Sequence, residues 1–215
     1  MDAIILAGGK GSRMEDHLPK ALVEARGKAI IIHQLEYLIN MVDKIVLSLG
    51  YKADQIVEYV TENFNSSSIE YVIEDENNPL GTAGGLKLAM KKTTSDLVLV
   101  LNCDDITNID LKQLEKYNDN TICVAHPRLP FGLVNNYCGW AEFVEKPIMQ
   151  NCWTSCGWYM FKKSIMNYLP DKGSLEYDVF PKLKLRVYEH NGFWSALNTK
   201  KDIDEWEKSL KKDHS

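Results

Sequence analysis

The chain has 215 residues, 45% of them apolar, and a formal net charge of −5. That length builds a full core without disulfides or metals, and the acidic balance argues against general nucleic-acid binding, which shows as a basic footprint. No apolar run approaches the ~20 residues of a membrane span, and the run 3–7, preceded by Asp2, is too short for a signal peptide and lacks its basic flank. The expectation is a cytoplasmic protein with neither a nucleic-acid nor a membrane partner.

In chain order, the run Ala3-Ile4-Ile5-Leu6-Ala7 reads as a buried parallel strand. A helix is expected over 30–41, where Ile31, Leu35, Leu38, Ile39 and Val42 share a face. Strands at 44–49, 69–73 and 97–101 then alternate with helices at 53–61 and 83–91, the pattern of βαβ units and a parallel sheet. From about residue 121 short β-like runs (122–126, 139–144, 154–161) replace this pattern and aromatics become frequent. Helices at 162–168, 177–182 and 201–210 and a strand at 185–188 complete the expected elements. The spacing predicts an α/β fold: a Rossmann-like, mostly parallel sheet with helices on both faces and an antiparallel extension over the nucleotide face. With no repeat or linker, residues 1–215 read as one domain.

The turn after the first strand, Gly8-Gly9-Lys10-Gly11-Ser12-Arg13, crowds glycines and cations together. Glycine lets backbone amides approach a ligand closely, and successive N–H groups form a concavity for anions. A P-loop is excluded by its spacing, and the dinucleotide fingerprint fails because Met14 stands at the third glycine position. Lys20, ahead of the first helix, can turn its amine over the same anion. Asn102-Cys103-Asp104-Asp105 ends the most apolar strand, and a carboxylate there suits Mg²⁺, which takes one or two carboxylates plus phosphate oxygens. Asp104 is the metal candidate and Asp105 is left open. Loops that follow parallel strands gather at one edge, so the glycine turn, the loop 74–82 and Asp104 should converge. The five cysteines read as buried free thiols, and no histidine is assigned a role.

Leu6-Ala7-Gly8-Gly9-Lys10-Gly11-Ser12-Arg13 with Pro19-Lys20 resembles the signature of the sugar-1-phosphate nucleotidyltransferases. Pro79-Leu80-Gly81-Thr82-Ala83-Gly84-Gly85, Asn102-x-Asp104 and Phe143-Val144-Glu145-Lys146-Pro147 are similar to that family's later motifs, in the same order. The loop 79–84 looks most like the short mannose- and heptose-1-phosphate guanylyltransferases. The resemblance implies an enzyme of the EC 2.7.7 class that joins an NTP and a sugar 1-phosphate into an NDP-sugar, releasing pyrophosphate. It divides the chain into a nucleotide-binding half, 1–120, and a sugar-binding half, 121–200. It implies nucleotide contacts from Leu6, Ala7, Gly8, Gly9, Gly11, Ser12, Arg13, Glu76, Gly81 and Thr82. Arg13, Lys20 and Asp104 would be catalytic: Arg13 at the β and γ phosphates, Lys20 at the α-phosphate, Asp104 on Mg²⁺. Gly84, Asn102, Glu145, Lys146, Gly157 and Glu176 would meet the sugar phosphate.

Two departures stand out. Ser155 replaces an asparagine expected to face the sugar, and the stretch 194–199 lacks the second metal carboxylate, its place falling to Asn198 or Ala196. The resemblance implies that the loop before Pro79 reads the base, and here it holds Glu74, Asp75 and Glu76; a carboxylate accepts the two adjacent donors of guanine but would face a carbonyl of uracil, which favours GTP. The alternatives are a nucleotide-sugar-binding regulatory homologue with weak catalysis, motivated by Asn198, and a nucleotidyltransferase acting on a non-sugar phosphate. The oligomeric state is left open, a homodimer being one arrangement.

Overall fold

The computed structural model describes residues 1–11, 18–64 and 66–209. In chain order its elements are β1 (Asp2–Leu6), a 3₁₀ turn (Lys20–Leu22), β2 (Glu24–Ala25), β3 (Lys28–Ala29), α1 (Ile30–Leu38), β4 (Lys44–Leu49), α2 (Ala53–Asn63), β5 (Ile69–Ile73), α3 (Gly81–Met90) and β6 (Leu97–Asn102). Then follow β7 (Asp105–Thr107), α4 (Leu111–Glu115), β8 (Thr121–Ala125), β9 (Leu133–Tyr137), β10 (Trp140–Val144), β11 (Thr154–Lys162), β12 (Arg186–Glu189), β13 (Trp194–Ala196) and α5 (Lys200–Ser209).

Seven strands form one sheet in the order β12-β8-β11-β6-β1-β4-β5. The β6-β1-β4-β5 half is parallel, and β11 runs antiparallel to both β6 and β8. β12 lies parallel to β8, one parallel pairing inside the half expected to be antiparallel. Strands covered on both faces read as continuous apolar runs, and side chains alternate between two cores. Ala3, Ile5, Leu99 and Leu101 pack with Ile31 and Leu35 of α1, Ile56 of α2, Leu114 of α4 and Trp206 of α5. Ile4, Val98 and Val100 pack with Leu86 and Met90 of α3.

Three differences from the expected elements have local causes. Pro181 cannot donate within a helix, and the helix expected over 177–182 is instead a π-helical turn, Leu175–Val179, followed by a 3₁₀ turn, Phe180–Lys182. The helix expected over 162–168 is a five-residue 3₁₀ segment, Lys163–Asn167. β9 pairs with β10 as a separate ribbon; its adjacent Asn135-Asn136 breaks the alternation that would have announced a strand. No cysteine is in a disulfide among the described residues, but only Cys103, Cys123 and Cys156 are buried; Cys138 and Cys152 are exposed.

In register, Leu6 lies opposite Ser48 of β4 and Asn102 of β6. The glycine turn, the Gly50-Tyr51 turn and Asp104 therefore leave the sheet at one edge.

Candidate active site

Beyond β1 the backbone stays tied to both neighbours: Ala7 N donates to Ser48 O at 2.8 Å, Cys103 N to Leu6 O at 3.1 Å, and Tyr51 N to Gly8 O at 3.1 Å. These bonds hold the glycine turn as the floor of a cavity of about 600 Å³, within the usual range for a small-molecule site. Gly11 has φ 63°, and a Cβ there would meet the Lys20 Cβ at 2.8 Å, so the turn closes directly onto the lysine.

Lys20 is the hub. Its Nζ contacts the Asp104 carboxylate and donates to Asn198 Oδ1 at 3.1 Å. Leu197 N donates to Asp104 O at 2.8 Å, hanging the residues after β13 from the end of β6. Asp202 Oδ2 accepts from Asn198 N at 3.1 Å and Thr199 N at 2.7 Å, which caps α5 and fixes the loop. Ala196 instead pairs with Asp105 across the β7–β13 ladder. Of the two residues left open at the second metal position, Asn198 is the one whose side chain lines the cavity.

Asp105 occupies a different environment from its neighbour. It is buried, and Oδ1 accepts from Trp194 Nε1 at 2.9 Å while Oδ2 accepts from Asn102 Nδ2 at 3.1 Å. Burial, with the Asp104 charge adding to it, pushes its pKa up to about 7. Asp105 thus ties the end of β6 to β13 and leaves its neighbour to face the cavity. Gly157 makes room for it: at φ 72° its Cα lies so close that an added Cβ would overlap Asp105 Oδ2. Gly157→Ala should lower stability by about 3 kcal/mol, a fall of roughly 6–12 °C in Tm. An unchanged melting temperature would show that β11 yields freely where its register with β8 shifts, between Ser155 and Tyr159.

Of the three acids after β5, Glu74 and Glu76 line the cavity. Glu74 Oε2 accepts from Leu80 N at 3.0 Å, and desolvation raises its pKa. Glu76 Oε2 accepts from Lys52 N at 3.3 Å. Asp75 turns away to accept from Asn77 N at 2.9 Å. Across the mouth, Thr82 Oγ1 lies 3.5 Å from Glu176 Oε2, while Ser174 Oγ donates to the same carboxylate oxygen at 2.6 Å.

The cavity thus brings together Leu6, Ala7, Gly8, Gly9, Gly11, Lys20, Glu76, Gly81, Thr82, Asn102, Asp104, Glu176 and Asn198 of the expected set. Four others stand elsewhere. Gly84 packs under the Asp171 carbonyl, and Gly157 under Asp105. Glu145 and Lys146 follow the β9–β10 ribbon outside the cavity, with Lys146 Nζ on Glu205 Oε1 at 2.8 Å. Ser12 and Arg13 lie outside the described residues. Residue patterning passed over Tyr51 and Lys10, which also line the cavity, the Lys10 Nζ lying 5.8 Å from the Tyr51 ring centroid. The usable signal was topological, since Tyr51 follows a parallel strand as the other loops do.

A glycine turn and a lysine facing a strand-end aspartate at this edge define a nucleotide-handling α/β domain. Residues 3–127 match the family model of the MobA-like NTP transferase domain, and the chain belongs to that family. It is similar, at 33% identity over 94% of its length, to the catalytic subunit beta of mannose-1-phosphate guanylyltransferase from Drosophila melanogaster. It is 31% identical, again over 94% of its length, to the bifunctional protein GlmU of Methanococcus maripaludis. The chain spans 60% of the first of these and 53% of the second. Among solved structures, HddC from Yersinia pseudotuberculosis complexed with GMP-PN superposes with a TM-score of 0.80 at 28% identity, covering 97% of this chain and 99% of that one.

Proposed function

We propose that the protein is a sugar-1-phosphate nucleotidyltransferase that uses GTP. The observation that carries this reading is the convergence of Lys20, Asp104 and Asn198 at the strand edge, facing the glycine turn across one cavity. In the proposed reaction an oxygen of the sugar phosphate attacks the α-phosphorus of the NTP. A new P–O bond forms, the bond from the α-phosphorus to the bridging oxygen breaks, and pyrophosphate leaves with the electron pair. Such a transfer needs positioning and charge rather than a covalent nucleophile.

The glycine-turn amides would bind the triphosphate. Lys20, held at the cavity floor, would meet the non-bridging oxygens of the α-phosphate as charge builds there. Among the described residues no group of three or more His, Cys, Asp or Glu side chains gathers as a metal cage. One carboxylate, Asp104, beside one amide oxygen, Asn198, nevertheless suits Mg²⁺, whose remaining ligands are phosphate oxygens and waters. Asp104 and Asn198 would hold it, and it would supply charge at the phosphates.

Base choice rests on Glu74 and Glu76. A carboxylate only accepts when ionised, so it pairs with the adjacent N1–H and N2–H of guanine. A guanylyltransferase and a GMP-PN complex among the relatives support the same choice. Pyrophosphate release measured across four NTPs and a panel of sugar 1-phosphates tests the whole reading. GTP with a hexose or heptose 1-phosphate should dominate. Preference for UTP or CTP sinks the base assignment, and no release with any acceptor sinks the transferase.

A further inference from the structure

We propose that the β9–β10 ribbon is a self-association surface: β9 pairs antiparallel with β9 of a second copy of this chain, joining two ribbons into one four-stranded sheet. The inference goes beyond the transferase reading and does not rest on it, since no residue of the ribbon lines the cavity.

The turn fixes which backbone groups are left over. Cys138 and Gly139 join the strands with φ of 53° and 92°, both positive, as a two-residue type I′ hairpin requires. The pair that closes such a turn, Tyr137–Trp140, exchanges hydrogen bonds, and in an antiparallel ladder every second pair then does the same. Asn135–Glu142 and Leu133–Val144 are those pairs, so the N–H and C=O groups of Val134 and Asn136 point away from β10. Among the described residues β10 is the only strand beside β9. Two strands alone are marginal in water, whereas three or more with an apolar face hold together. Exposed edges are usually guarded by a lysine, a proline or a bulge. β9, Leu133-Val134-Asn135-Asn136-Tyr137, has none of these.

A twofold axis through Asn135 satisfies that edge with its own copy. Val134 then lies opposite Asn136 of the partner subunit, and each such pair exchanges two hydrogen bonds. Pairing of a strand with itself is isologous, so it closes at two copies. The side chains agree with this register. On one face the row Trp140, Tyr137 runs on into Leu133 and Val144 of the partner subunit, and the centre brings two neutral Asn135 side chains together. The other edge of the ribbon does not allow the same. There the outward groups belong to Ala141 and Phe143, the axis falls on Glu142, and two carboxylates would stand directly opposite, which is destabilising.

The surface is also of the right size. Phe131, Tyr137, Trp140 and Phe143 are 76%, 62%, 81% and 63% exposed. At ~200 Å² for a whole aromatic side chain, that leaves on the order of 550 Å² of aromatic surface in water. Val134, Val144 and Ile148, also exposed, bring the ribbon close to the ~800 Å² per partner of a standard interface. A monomer's largest apolar patch is usually ~300–600 Å².

Sedimentation equilibrium of the whole chain, without nucleotide, reads the association. The wild type should be dimeric across the micromolar range. Val134→Pro removes an outward N–H while sparing the bonds to β10, and Tyr137→Lys adds the charge that natural edges carry. Each should weaken association at least tenfold, as loss of a central contact does. A wild type that stays monomeric overturns the proposal, and so does a dimer that neither variant weakens. Disulfide trapping assigns the edge. With the exposed thiols removed by Cys138→Ser and Cys152→Ser, Asn135→Cys places two thiols on the axis, where opposed Cα atoms lie ~4.5 Å apart, within disulfide reach. Oxidised glutathione should convert most of that variant to a covalent dimer and leave Glu142→Cys uncrosslinked. Cross-linking at position 142 and not at 135 overturns β9 as the paired edge. These readouts use no substrate, so they stand or fall separately from the transferase reading.

Discussion

Lys20→Ala should reduce kcat by roughly 10² to 10³-fold, the usual cost of removing one preorganised donor from a site of developing charge, while the fold stays intact. The structural part of this expectation follows from the environment. Lys20 and Asp104 are both partly exposed, so their ion pair contributes little to stability, about 1 kcal/mol or less. Pyrophosphate release in single-turnover mixing, beside a thermal melt, separates the two effects. A variant that keeps near-normal kcat would mean that the α-phosphate sits elsewhere along the glycine turn. One that loses rate and also melts far below wild type would make Lys20 a structural residue.

Asp104→Asn should bring a comparable loss, with a rising demand for Mg²⁺. The substitution keeps the shape and removes the single charge that the protein offers a cation at this point, since the partner oxygen on Asn198 belongs to a neutral amide. Rate measured against Mg²⁺ concentration is the readout. Asn198→Asp in the same titration should move the other way, lowering the concentration needed for half-maximal rate, because a second carboxylate then faces the first across Lys20. If the Mg²⁺ dependence is unmoved by both changes, the cation is held by the nucleotide alone.

The parallel half of the fold was legible because its signal is local. Residues 97–101 are apolar on both faces of the sheet, and the chain says so in five consecutive letters. The gathering of Gly8, Lys20 and Asp104 followed from topology, since all three lie beyond the same ends of parallel strands. What could not be read depends on distant partners. Asp104 and Asp105 are adjacent carboxylates in the sequence, and only Trp194 and Gly157, far along the chain, make one buried and leave the other facing the cavity. Lys146 and Glu205 are each ordinary charged residues in their own segments. The ion pair that Lys146 makes with Glu205 depends on how α5 docks, which the stacking of Arg26 on Trp206 helps to fix. Of the β9–β10 ribbon only β10 was legible, as the run 139–144; β9 has no buried residue, so nothing selects one of its faces for apolar residues.

The hydrogen bond from Lys20 to Asn198 joins positions 178 residues apart. Binding at that junction is therefore linked to the integrity of α5 and the residues leading into it. Opening of α5 and the residues leading into it would remove Asn198 from the cavity while the parallel core, and with it the glycine turn, stayed folded. Such sub-global openings cost less than complete unfolding. A ligand that spans the junction stabilises the closed form by RT ln(1 + [L]/Kd), about 2.7 kcal/mol at a hundredfold excess over Kd. The segment around α5 is then the part whose protection from hydrogen exchange should depend most directly on a ligand at the junction, although it lies far along the chain from the glycine turn.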